Sequence, residues 1–375
     1  MKKKVHFANL NTIRFIAAFA VIIAHTEQIK MAKGLANIYQ IPSIEIIGSL
    51  SVDLFFVLSG FLITSLLFIE QNTVSGISIK NFIIRRLLRI WPLYFIVMAL
   101  GFGIMPLFTN LNIGAPFINV YDHFASNFIL YILFLPHIQS IIFGPILYAA
   151  QAWSIGIEEQ FYIIWPFIVK KKSKRKILSF IIIFIISYLV ICVILSQATR
   201  SEYLVNKFSF EAINNLNIIF RHRLKFDCLL IGGLFAVIHL KLKGNSFFLS
   251  KKFQITVYLI ELILLITATN FYGFFWEVHA VLYGFIILNL VRTETSIFNL
   301  EYPIFDYLGK ISYGIYMYHM LVINIVVTMF NELDIMFLSY PVIFLLVTLI
   351  SGLSYRFIEA YFLRKKKSFS VLSTG

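Results

Sequence analysis

Ten apolar runs, roughly 10–29, 47–69, 90–108, 154–170, 177–196, 220–240, 254–270, 276–292, 311–330 and 334–359, recur along 375 residues with short polar links between them. About 20 apolar residues suffice for an α-helix to cross a bilayer, and within hydrocarbon each backbone N–H and C=O must be satisfied inside its own segment. The predicted fold class is therefore all-α, a polytopic membrane helix bundle of about ten transmembrane helices. Composition agrees, with 59% hydrophobic and 13% charged residues, against roughly 25% charged in soluble domains. That leaves space for one membrane domain, residues 1–364, and a short mobile cytoplasmic tail, 365–375.

The net charge of +14, from 32 Lys and Arg against 18 Asp and Glu, could suggest nucleic acid. The basic residues instead fall in short clusters between apolar runs, as cytoplasmic loops do, so nucleic acid is excluded as a partner and the lipid bilayer takes its place. With residues 1–9 inside, alternation puts Lys80, Arg85, Arg86, Arg89, Lys170 to Lys176, Lys310 and Arg364 to Lys367 inside as well. Both termini are then cytoplasmic. An apolar piece near 125–150, broken by Pro136 and Pro145, would invert that order as an eleventh span and is read as a re-entrant or interfacial hairpin. The start resembles a signal peptide, but Arg14 and His25 within its apolar run argue for a retained first helix. Cys192 and Cys228 have no metal-type spacing, so no metal site is expected.

Charges inside apolar runs are costly and must be compensated or used. Arg14 and His25 share the first run, and Asp53, Glu158, Glu159, Arg223, Asp227 and His319 interrupt later ones. By helical rise, His25 lies about 16 Å further out than Arg14. The same count puts Asp53, Glu158 or Glu159 and Asp227 in the outer half with His25, where a carboxylate could orient the imidazole. Arg14, with Arg85, Arg86 and Arg89 before Trp91-Pro92, forms a cytoplasmic layer suited to a donor with several phosphates. A plainer reading is that these arginines fix topology and bind anionic lipid.

These motifs resemble the acyltransferase 3 family of integral membrane acyltransferases that decorate surface polysaccharides and lipids. The resemblance rests on Leu10-Asn11-Thr12-Ile13-Arg14 through His25, Ser51-Val52-Asp53 through Gly60-Phe61, and Arg85-Arg86-Leu87-Leu88-Arg89-Ile90-Trp91-Pro92. It continues through Trp153-Ser154-Ile155-Gly156-Ile157-Glu158-Glu159, Arg223 to Gly232, Gly309 through Tyr316 to His319, and Tyr355 to Glu359. Asn11-Thr12 stands where Asp-Gly is commoner, and Tyr361 where a proline often follows the final glutamate. The family resemblance implies an O-acyltransferase of the bacterial inner membrane, using cytoplasmic acyl-CoA, most often acetyl-CoA, as donor substrate and no permanently bound cofactor. The acceptor would be a sugar hydroxyl of a polysaccharide or glycolipid. His25 carries over as the catalytic residue, and Arg14 and the Arg86 to Arg89 element as donor-associated. Members often carry a C-terminal extracellular SGNH-type domain, which is not expected here.

Two mechanisms stay open: His25 as general base toward the attacking hydroxyl, or as nucleophile carrying the acyl group. Glu158 or Asp53 would hold the ring, Glu158 being favoured over Glu159 because adjacent residues point about 100° apart on a helix. Trp153, Glu159, Arg223, Asp227, Tyr316 and His319 are candidates for the acceptor side, with aromatic packing or an interfacial belt as the bland alternative for the tyrosines. A proton-coupled transporter is the chief rival, and an envelope polysaccharide polymerase or flippase the third reading.

Overall fold

The structure, a computed structural model, describes residues 3–108, 117–119, 121–242, 246–269, 274–330, 338–370 and 372–374. Each of the ten apolar runs contains helix, so the bundle is as the sequence predicts. α1 (Leu10–Ala32), α2 (Pro42–Gln71) and α3 (Ile79–Ala99) come first. Their starts follow from local chemistry. Asn9 precedes α1 at φ 64°, a left-handed conformation asparagine tolerates, and its side chain bonds Leu290 O and Leu300 N–H. Pro42 occupies the first turn of α2, where a missing N–H costs nothing. Ser78 caps α3 by accepting from Asn81 N–H.

The 125–150 segment is a hairpin of two short helices, α4 (Phe124–Ile132) and α5 (Pro136–Ile142). At nine and seven residues, rising about 14 and 10 Å, neither can cross a core about 30 Å thick. Its polar groups are shielded by protein: Gln139 is buried and donates to Asn127 Oδ1 and Gly144 O, both at 2.9 Å.

After the hairpin come α6 (Ala152–Lys170), α7 (Lys174–Ala198), α8 (Glu202–Phe208), α9 (Phe210–Ile218) and, beyond a π-helical turn at Ile219–Leu224, α10 (Phe226–Lys241). Then follow α11 (Lys251–Thr267), α12 (Phe275–Leu290), α13 (Pro303–Lys310), α14 (Ser312–Phe330), α15 (Ser339–Ser354) and α16 (Ala360–Lys366).

Among the described residues, six helical stretches are long and apolar enough to cross a membrane: Leu10–Ala32, Pro42–Gln71, Ile79–Ile104, Lys174–Ala198, Ser312–Phe330 and Ser339–Phe369. The remaining runs fall short for visible reasons. α6 carries Glu158 and Glu159, α10 starts only after a break at Lys225, and α11 and α12 are 17 and 16 residues long.

α2, 30 residues long, is the axis of the bundle. It meets α10 backbone to backbone. A Cβ on Gly60 would lie 1.8 Å from Leu229 O, and one on Gly232 2.0 Å from Val57 O, the close approach that small residues permit between membrane helices. α7 turns Ile183, Ile186 and Ile194 outward, and α11 turns out Leu262, Ile263 and Ile266, an apolar periphery suited to lipid.

The two chain ends meet at one end of the bundle. β1 (Lys3–Val5) pairs in parallel with β2 (Leu372–Thr374), and Arg85 Nη1 donates to Phe369 O at 2.8 Å. The segment expected to be a mobile tail is thus held against the bundle by backbone hydrogen bonds.

Candidate functional site

Two adjoining cavities open at that terminal end. The outer one, ≈ 540 Å³, is lined by Arg85, Lys310 and Lys366 together with Glu70 and Glu359. The inner one, ≈ 100 Å³, is closed by Phe55, Ser154, Glu158, Tyr162 and Tyr316. Arg14, Arg86 and Arg89 line both. Arg14 stands one turn into α1, and Arg86 and Arg89 share a face of α3 at a three-residue spacing, so two helix faces supply one cationic wall.

The four predicted arginines are not equivalent. Arg85 is neutralised by Glu70 at 2.5 Å and bonded to the Phe369 carbonyl. None of the ion pairs among the described residues includes Arg14, Arg86 or Arg89. Arg14 donates only a long 3.3 Å bond to Asn11 Oδ1, and Arg86 lies over the Phe82 and Tyr162 rings. Guanidinium groups outside any ion pair, lining cavities they share with Glu158 and Glu359, have the chemistry to hold an anion.

Glu158 belongs to this cavity and does not hold His25. Its Oε1 accepts from Ser59 Oγ at 2.6 Å and its Oε2 from Tyr162 OH at 2.9 Å. Counting residues from a surface start had put Glu158 level with His25. In the folded bundle Glu158 instead shares a cavity wall with Ser59, Arg14, Arg86 and Arg89. Glu159 faces away from it, as adjacency requires, and accepts from Trp91 Nε1 at 3.4 Å.

His25 has a different partner. Its Nδ1 lies 2.8 Å from Nε2 of His319, and the two ring planes are nearly parallel, 10° apart with centroids at 5.0 Å, so the rings meet edge to edge. His319 is wholly buried, and its Nδ1 is bonded to the carbonyl of Tyr316 one turn earlier on α14. Tyr316 in turn bonds Ser154 Oγ at 2.8 Å and Gln151 O at 3.1 Å and forms part of the inner cavity wall. One turn of α14 therefore links the arginine cavity to the imidazole pair. His25 itself lines neither cavity and is only half-buried.

Asp53 and Asp227 lie apart from the imidazoles, in a second buried cluster. Lys225, held at φ 41° where the π-helical turn meets α10, donates from Nζ to Asp53 Oδ2 at 3.0 Å and lies 4.3 Å from the Trp276 ring centroid. His279 bonds both oxygens of Glu261 at 2.9 Å. Trp153 packs edge-on against Phe56 at 6.0 Å. Arg223 falls in the Ile219–Leu224 turn, and its side chain lies outside the described residues.

The sequence allows a structural hydrogen bond from Tyr162 to Glu158 or Glu159, which the structure shows for Glu158, but it missed Lys225, the hydrogen bond of Ser59 to Glu158 and the Glu261–His279 pair. The last left a faint signal, a histidine and a carboxylate isolated in adjacent apolar runs. Removing one partner of a buried ion pair costs about 3–5 kcal/mol, while removing both can be nearly neutral. Lys225→Met is thus expected to lower the unfolding temperature of the purified protein strongly, and Lys225→Met with Asp53→Asn to recover part of the loss. Equal stability of wild type and Lys225→Met would count against a structural role for the pair.

A model of an acyltransferase domain matches residues 7–356. The chain is 28% identical over 382 residues to a Staphylococcus aureus (strain COL) protein named "Putative O-acetyltransferase", covering 96% of this chain and 58% of that protein. It is 27% identical over 399 residues to O-acetyltransferase OatA of Staphylococcus aureus (strain NCTC 8325 / PS 47), covering 98% of this chain and 59% of that one. An uncharacterized Haemophilus influenzae protein is 33% identical over 197 residues, 50% of this chain and 74% of its own. The chain thus spans less than two thirds of the length of the staphylococcal relatives. No solved structure matches. Since the family match takes in the arginine wall, Tyr316 and both imidazoles, running from residue 7 to 356, the chain belongs to the acyltransferase 3 family.

Proposed function

We propose that the protein is a membrane O-acetyltransferase that moves an acetyl group from cytoplasmic acetyl-CoA to a hydroxyl of an envelope sugar. The observation that carries this reading is the trio Arg14, Arg86 and Arg89, none of them in an ion pair among the described residues, on the wall of a cavity that ends at Tyr316, one turn from the imidazole pair. Phosphates bind where guanidinium donors lack carboxylate partners. The rise from Arg14 to His25, about 16 Å, suits an extended pantetheine arm. The names of the staphylococcal relatives support an acetyl group and an oxygen acceptor.

In this reading the phosphates sit at the arginines and the thioester passes the Phe55 and Tyr316 rings toward His25. The acceptor oxygen attacks the thioester carbonyl, the C–S bond breaks, and CoA leaves as the thiol. The hydroxyl proton goes to His25, which returns it to the departing sulfur. In the other order His25 takes the acetyl group first and the hydroxyl then removes it. Both put the same ring at the reacting carbon.

Topology follows from the basic clusters, with both termini in the cytoplasm and the protein in the inner membrane. Labelling Lys174→Cys should succeed only from the cytoplasmic side, and labelling Leu204→Cys only from the opposite side. Label reaching position 174 from outside would invert the donor side. The function itself is tested with purified protein in nanodiscs, supplied with acetyl-CoA and a glycan acceptor. Acceptor-dependent thiol release and an acetylated glycan by mass spectrometry are expected. Absence of both CoA binding and thiol release would make the site that of a carrier of protons or anions.

A further inference from the structure

Between the two imidazoles the protons can be placed from the partners alone. A peptide carbonyl oxygen only accepts, so the nitrogen of His319 that bonds Tyr316 O, Nδ1, carries a hydrogen. With His319 neutral, its Nε2 is left as a lone pair and can only accept. The 2.8 Å contact then requires His25 Nδ1 to donate. The remaining nitrogen of His25, Nε2, holds the other lone pair.

We infer that His319 is a positioning residue for acyl transfer: it locks His25 in the Nδ1–H form through the Tyr316 carbonyl and leaves His25 Nε2 as the reacting atom. The inference rests on the proposed function for what reacts, but the proton arrangement stands on hydrogen bonds alone. Three observations favour it over a role for His319 in holding the acceptor. His319 is 0% exposed, so no sugar reaches it. It lines neither cavity. Both its nitrogens are already engaged, one by a carbonyl on its own helix and one by His25.

The relay works in the place a carboxylate holds in a catalytic triad, orienting the imidazole and fixing its tautomer. It also has a second state. When His25 Nε2 takes the proton of the attacking hydroxyl, the Nδ1 proton can pass to His319 Nε2. Both His319 nitrogens then donate, one to Tyr316 O and one to His25, and the positive charge moves one ring deeper. If His25 is the nucleophile, Nε2 forms the bond to the thioester carbon as the C–S bond breaks, and the same shift of the Nδ1 proton neutralises the acylated ring. Among the described residues no carboxylate bonds either ring. Glu27, two residues on from His25, is occupied by Lys30 at 2.6 Å, by Tyr340 and by the Ile38 N–H.

The test compares His319→Phe, His319→Gln and His319→Asp with wild type in nanodiscs, each at equal folded amount and with CoA binding measured alongside. Phenylalanine keeps volume and removes the acceptor. A loss of about 10²–10⁴ in turnover is expected, the cost of a mis-set tautomer or a lost base, with CoA affinity unchanged. Glutamine can still accept from His25 through its side-chain oxygen but cannot take the proton, so it should retain more activity than phenylalanine. Aspartate would make a carboxylate-paired imidazole that holds its proton more tightly. Because His25 must be neutral to act, the acid limb of the turnover profile should then move to higher pH.

A direct readout is the ¹⁵N spectrum of ring-labelled histidine, assigned through the variants. Wild type should show His25 and His319 both as Nδ1–H, the less common form of a free neutral imidazole, and His319→Phe should lose that lock. A folded, CoA-binding His319→Phe with wild-type turnover would overturn the inference, as would an Nε2–H His25 in the wild-type spectrum. If wild type transfers no acetyl group, the functional reading fails instead, and the spectrum alone decides the proton arrangement. If His319→Phe does not fold, the glutamine and aspartate profiles and the wild-type spectrum decide it.

Discussion

Replacing His25 with alanine is expected to abolish acetyl transfer while leaving the bundle folded and able to bind CoA. The three expectations separate because of where the side chain sits. Loss of a general base costs about 10²–10⁴ in turnover, and loss of a nucleophile that carries the acyl group costs the whole covalent route. Stability should change little. His25 is half-buried, and among the described residues its side chain makes one hydrogen bond, to His319. Leaving the His319 Nε2 acceptor unsatisfied costs about 1–3 kcal/mol, a fall in unfolding temperature but no collapse. The arginine wall lies about 16 Å away along α1, so CoA affinity should hold within about twofold, since a change of 0.4 kcal/mol is roughly a factor of two. Thiol release, acetylated glycan and CoA binding are measured on the same preparation. Substantial turnover by a well-folded His25→Ala protein would end the proposed chemistry, whatever the arginines bind.

Helices were legible in the sequence because their signal is local. A run of apolar residues forces its backbone to close its own hydrogen bonds, and nothing distant can alter that. Each of the ten runs accordingly contains helix, and the two prolines near 125–150 do mark a hairpin too short to cross. Partners were less legible, because they depend on where a helix starts in depth and how it is turned about its axis. Counting from a membrane surface puts Glu158 beside His25, but the way α6 packs brings it to Ser59 and the arginines. Nothing in the sequence sets Lys225 apart from Arg223 and Asp227, and it is at a break with φ 41° that its ammonium reaches Asp53. His319 was visible as an intramembrane histidine. That it bonds His25 is a matter of helix rotation, to which a residue type and a position in a run are blind.

Alanine at Arg14, Arg86 or Arg89 should weaken CoA binding, and alanine at Arg85 should not to the same degree. The distinction comes from what each guanidinium already holds. Arg85 is engaged by Glu70 at 2.5 Å and by the Phe369 carbonyl at 2.8 Å, so removing it strips a buried carboxylate of its partner and should appear mainly as lost stability. The other three have no carboxylate partner among the described residues and face the cavities. A hydrogen bond to a charged group contributes about 1.5–3 kcal/mol, so each loss should raise the CoA dissociation constant by roughly 10- to 100-fold. All three enter the wall from helices long and apolar enough to cross a membrane, where bulk water offers little compensation. Lysine at Arg89 separates charge from geometry. A forked guanidinium binds two phosphate oxygens at once and an ammonium does not, so Arg89→Lys should recover little affinity if the contact is bidentate and most of it if only the field matters. Turnover at saturating acetyl-CoA should fall far less than affinity, because these side chains hold the donor at a distance from the bond that breaks. Unchanged CoA affinity in all three alanine variants, each correctly inserted, would leave the arginines as topology and lipid contacts and make a carrier the better reading of the bundle.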